Sequence, residues 1–117
     1  MRFEVKLGNE VIGFSELEHG DAPMGVAFGR LVTTPAYRFI QPHCIEHREH
    51  WIPIPNLRVE VPGGVSIECC GGIQIIDHGS EPGEKGIQVY LNGVTRPPYG
   101  ELFPDHVEAY RKQFEKR

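Results

Sequence analysis

The sequence lacks concentrated positive charge: 16 acidic side chains outnumber 12 basic ones, giving a formal charge of −4. Basic residues cluster only in the tail from Arg111 to Arg117, which Glu115 interrupts. A nucleic-acid backbone is held by dense Lys and Arg, so no nucleic-acid partner is expected. There is also no apolar stretch near the ~20 residues that a membrane-spanning helix needs. Met1-Arg2-Phe3-Glu4-Val5-Lys6 alternates as a strand does and is no secretory signal. The expectation is a cytoplasmic protein with no membrane partner. Cysteine is scarce, with Cys44, Cys69 and Cys70 alone, which excludes a disulfide framework and fits reduced thiols. The glycines show no phosphate-binding spacing. Ser15 lacks the second glycine of a nucleophile elbow, which removes that class of hydrolase.

What is present fits one domain over residues 1–117, because a chain this short buries enough surface for one core only. Phe3, Val5 and Leu7 alternate with charged residues, Gly8-Asn9-Glu10 supplies a turn, and Val11 to Leu17 forms a second strand, with Gly13 marking a bulge or a close backbone approach. Val26 to Val32 reads as a third, buried strand. Thr34 before Pro35 has the form of a helix start, so one or two short helices are expected near residues 35–51. The first would end near Pro42, anchored by Tyr37, Phe39 and Ile40. A hairpin follows across Pro62-Gly63-Gly64, and further strands are expected at Ile73–Ile76 and Ile87–Leu91. Val107, Tyr110 and Phe114 recur at helical spacing, making the end of the chain an amphipathic helix. The fold class is therefore α+β: an antiparallel sheet of five to seven strands packed against a C-terminal helix.

The chemistry-bearing residues concentrate in PHCIEHREH. On a helix His43, His47 and His50 would share one face and could hold zinc with an open fourth position. His43-Cys44-Ile45-Glu46-His47 also matches the H-x-x-E-H pattern of inverted zinc metallopeptidases, in which Glu46 would be the general base. That resemblance covers five residues, and such enzymes need a distant further ligand. On a solvated face beside Arg48 and Glu49, the same histidines need no metal at all, and that is the preferred reading. Cys69 and Cys70, as strand neighbours, point to opposite faces, giving one buried and one partly exposed thiol. Glu18, His19 and Asp21 could form an acid and base pair, but in a turn such carboxylates more often accept backbone hydrogen bonds.

The stretch from Gly13 to Arg30, with Thr34-Pro35-Ala36-Tyr37, resembles a pattern of small bacterial proteins without an assigned activity. The resemblance implies a bacterial, intracellular origin and carries no catalytic residue. Without a complete catalytic set, the expectation is a protein-binding module, most concretely an immunity-type inhibitor that occludes a basic toxin. Its acidic, aromatic-bearing surface would use Glu81, Glu84, Tyr99 and Glu101. A small metal-dependent enzyme at the histidines and a structural homodimer paired through an open sheet edge are the alternatives.

Overall fold

The computed structural model describes residues 2–47, 54–78 and 86–115. The fold is α+β, as the sequence pattern implies, with its strands divided between two four-stranded antiparallel sheets and a two-stranded ribbon. Strands β1 (Phe3–Leu7) and β2 (Glu10–Ser15) form the expected hairpin around Gly8, whose φ of +61° suits a residue without a side chain. Phe3 and Val5 are buried while Glu4 and Lys6 face outward, the period-two pattern read from the sequence. The register shifts between Val5 and Lys6, so that Ile12 is the extra residue of a bulge beside Gly13. Gly13 is also a close approach: a Cβ there would lie 2.6 Å from Leu31 Cδ1.

Strands β3 (His19–Asp21) and β4 (Val26–Arg30) begin the second sheet, and β5 (Val32–Thr33) returns the chain to the first. Val26 to Val32 is thus two strands where one was expected. The chain changes sheets at Leu31, which is buried and donates its N–H to Ile87. The first sheet is completed by β6 (Leu57–Glu60), giving the order β5-β2-β1-β6. The hairpin across Pro62-Gly63-Gly64 holds near its turn, with Val61 N–H on Val65 and Ile67 N–H on Val59. Beyond it the chain departs as β7 (Glu68–Cys69) to pair with β10 (Val94–Arg96). Strands β8 (Ile73–Asp77) and β9 (Ile87–Leu91) complete the second sheet in the order β3-β4-β9-β8.

The inner faces supply one core, with Phe3, Val5, Ile12, Leu17 and Val59 from one side and Ala27, Ile75, Val89 and Leu91 from the other. Glu4 and Glu60 stand opposite each other on β1 and β6, a repulsive pair relieved by Lys6 Nζ at 3.0 Å from Glu60 Oε1.

A 3-10 turn at Pro35–Phe39 precedes helix α1 (Gln41–Glu46). Thr34 occupies the cap position, but its hydroxyl donates to Val11 O at 2.6 Å and does not cap the turn. Tyr37 and Ile40, three apart, are buried together, while Phe39 is 71% exposed and is not the anchor expected of it. Pro42 does not end a helix. It sits in the first turn of α1, where its missing N–H costs nothing. Helix α2 (Tyr99–Leu102) is a single turn, and α3 (Pro104–Glu115) is the expected C-terminal helix. Its main contact with the sheets is with β3. Val107 and Tyr110, two members of the apolar stripe read from the sequence, are 41% and 39% exposed.

Candidate functional site

Several titratable groups meet where β3 approaches the junction of α2 and α3. Leu17 shapes one wall. Its φ of +46° is the left-handed region, its side chain is fully buried, and Ser15 Oγ accepts its N–H at 3.1 Å. The kink leaves Glu16 and Glu18 exposed on either side. Glu18 Oε1 accepts the Arg30 N–H at 2.8 Å, and a Cβ on Gly29 would collide with the same carboxylate.

Phe103 anchors the opposite wall. It is 4% exposed and packs on Phe3 and Tyr99, while the His106 ring stacks on it at 4.9 Å with 4° between planes. Tyr99 Oη lies 2.8 Å from both Val26 O and His106 Nδ1. The hydroxyl donates to the Val26 carbonyl, and its contact with His106 Nδ1 takes its direction from the imidazole tautomer. Burial, then the Asp21 charge, pushes the Tyr99 hydroxyl up to about 12. Burial also draws His106 below its ordinary value, aided by His19 and opposed by the Leu17 and Glu18 carbonyls and by Asp105. Gly20 runs directly against Tyr99 Oη and His106 Nδ1, leaving no room for a Cβ.

Between these walls is an open hollow of about 320 Å3. Phe3, Leu17, Leu102 and Phe103 give it an apolar floor, Glu16, Glu18 and Asp105 give it a negative rim, and no Lys or Arg is among the described residues that line it. Such a site suits a cation carried on an apolar stem. The described residues that line it include no Ser, Thr or Cys.

The residues singled out from sequence fall elsewhere or only partly here. Tyr99 belongs to the corner, but it is half-buried and its hydroxyl is engaged inside; Glu101, on α2, is exposed. Glu81 and Glu84 lie outside the described residues, as do His50 and Trp51. His43 and His47 are half-buried with ring centroids 4.6 Å apart, and α1 ends at Glu46, one residue before His47. Among the described residues no group of three or more His, Cys, Asp or Glu is placed to hold a metal ion. Glu18 and Asp21 accept backbone N–H groups from Arg30 and Met24, the turn role anticipated for them. Cys70 is exposed, while Cys69 is half-buried and its thiol is pushed up to about 11, by burial first and then by Cys70. Cys44 is buried.

Glu16, Asp105 and His106 were not read as site residues, because their meeting depends on a contact between distant parts of the chain. The local signal was Leu102-Phe103-Pro104-Asp105-His106, two apolar anchors followed by an acid and an imidazole. A second polar cluster is also legible only in the fold. Asp77, 1% exposed, accepts hydrogen bonds from Tyr37 Oη at 2.8 Å and Gln41 Nε2 at 3.2 Å, which ties the 3-10 turn and α1 to β8. Burial, then the hydrogen bond with Asp77, raises the Tyr37 hydroxyl above its ordinary value.

No family model, no curated protein and no solved structure matches this chain.

Proposed function

We propose that this chain is a bacterial cytoplasmic protein-binding module that covers a basic surface of another protein, in its most concrete form an immunity-type inhibitor of a basic toxin. One observation carries the reading: a hollow with an apolar floor is rimmed by Glu16, Glu18 and Asp105, with no Lys or Arg among the described residues that line it. A partner's Lys or Arg would lay its stem on Phe103 and Leu102 and its charge among the carboxylates. Glu101 on α2 is exposed and adds a further carboxylate for such a partner, while Glu81 and Glu84 lie outside the described residues. The mechanism is occlusion and needs no chemistry of its own.

Native mass spectrometry of the untagged protein from its own cells tests this. The expected result is a complex with a basic protein that dissociates as salt is raised, and that is lost when Glu16→Lys, Glu101→Lys and Asp105→Lys are combined. A partner that tolerates both salt and the triple reversal would overturn the assignment.

A further inference from the structure

The kinked segment Glu16-Leu17-Glu18 borders a second hollow, of about 360 Å3. Glu16 and Glu18 line both hollows, so the segment is a ridge between them. Gly29 and Leu31 are buried while Arg30 and Val32 are exposed, and Phe14 pairs with Val32 across β2 and β5, so these three side chains share the outward face. Val32 is 57% exposed, and the Arg2 guanidinium lies over the Phe14 ring, 4.1 Å from its centroid.

The cations of this second hollow are not matched within the chain. Among the described residues neither Arg2 nor Arg30 forms an ion pair with a carboxylate. Arg2 is held by Phe14, and Glu18 is turned onto the Arg30 backbone N–H at 2.8 Å. Two exposed cations beside an apolar pair thus adjoin a hollow that is rimmed with carboxylates and has no Lys or Arg among the described residues that line it. Each surface has the charge the other would bind.

We propose that this face pairs with a second copy of the chain, Arg2 and Arg30 of each copy meeting the acidic hollow of the other. A two-fold axis sets one patch against an adjoining patch twice over, so neighbouring surfaces of opposite charge can close a dimer. The exposed Val32 would be covered in the same contact. The dimer uses the hollow assigned above to a basic partner, so it would shield that hollow until the partner's cation displaces the second copy. It is measured on the purified chain without any partner, so either assignment can fail alone.

Sedimentation velocity of the whole chain at increasing concentration tests it, with two variants: Arg2→Glu combined with Arg30→Glu, and Glu16→Lys combined with Asp105→Lys. The unaltered chain is expected to dimerise at low salt and to dissociate as salt is raised. Each variant alone sets like charges against each other and is expected to lose the dimer. An equimolar mixture of the two restores opposite charges at both contacts and is expected to regain it, which also shows that both variants fold. A chain that stays monomeric at every concentration, a dimer that persists in either variant, or a mixture that associates no more than its parts would overturn the proposal.

Discussion

At the scale of single residues, the buried carboxylate of Asp77 and the bare Cα of Gly20 set the tightest constraints. Asp77 depends on neighbours for its hydrogen bonds, and Tyr37→Phe removes one donor while leaving the ring's packing intact. The expected loss is ~1–3 kcal/mol of unfolding free energy, read from urea denaturation. A smaller effect would show that Gln41 and the remaining partners of Asp77 compensate. Gly20→Ala places a methyl where Tyr99 Oη and His106 Nδ1 meet. That variant should break the hydrogen bond between them, seen as a changed His106 imidazole signal in NMR. An unchanged signal would mean that β3 can withdraw.

Among the elements, α3 has its buried anchor, Phe103, at its beginning. Phe103 and His106 hold the first turn, while the side chains from Ala109 to Gln113 are exposed. Amide hydrogen exchange should therefore be fast in the last turns of α3 and slow at Val5 and Val89, and equal protection would contradict the packing described. The same joint responds to pH. The groups acting on His106 are His19 on β3, the Leu17 and Glu18 carbonyls, Tyr99 on α2, and Asp105 beside it on α3, while Asp21 acts on Tyr99. With the folded value of His106 below 6.5, the unfolded chain takes up its proton first. The joint's contribution is whole above pH 6.5 and is lost as pH falls through the folded value. Urea midpoints at pH 7.5 and 5.5 should differ more for the unaltered chain than for His106→Gln; an equal change would assign the effect to other groups.

Across the whole molecule, the core is shared by both sheets, so they should unfold as one unit. Leu91→Ala should cost ~2–5 kcal/mol, with probes in the two sheets keeping coincident transitions. Separate transitions would make Leu31 a hinge between independent halves. The parts legible in the sequence are those written locally. The alternation of Phe3 and Val5, the glycine turns and the spacing that starts at Pro104 all give their elements directly. The change of sheets at Leu31 was hidden because Val26 to Val32 holds a single charged residue, Arg30, and no proline or turn pair, so nothing in it marks where pairing changes partner. Asp77 ends a strand pattern, where an acid reads as exposed, and its burial comes from Tyr37 and Gln41, far away in sequence. The acidic hollow was hidden for the same reason. Its rim joins the kink at Leu17 to the start of α3, and no local period connects them.

Gly20 also bears on descent. A side chain there collides with the hydroxyl and the imidazole that hold α3 to β3, so the position has no substitutes as long as those partners persist. Relatives of this chain should keep glycine there wherever they keep a tyrosine and a histidine at the positions of Tyr99 and His106, and should vary all three together where they do not. Such joint variation would identify distant kin even when overall similarity has decayed.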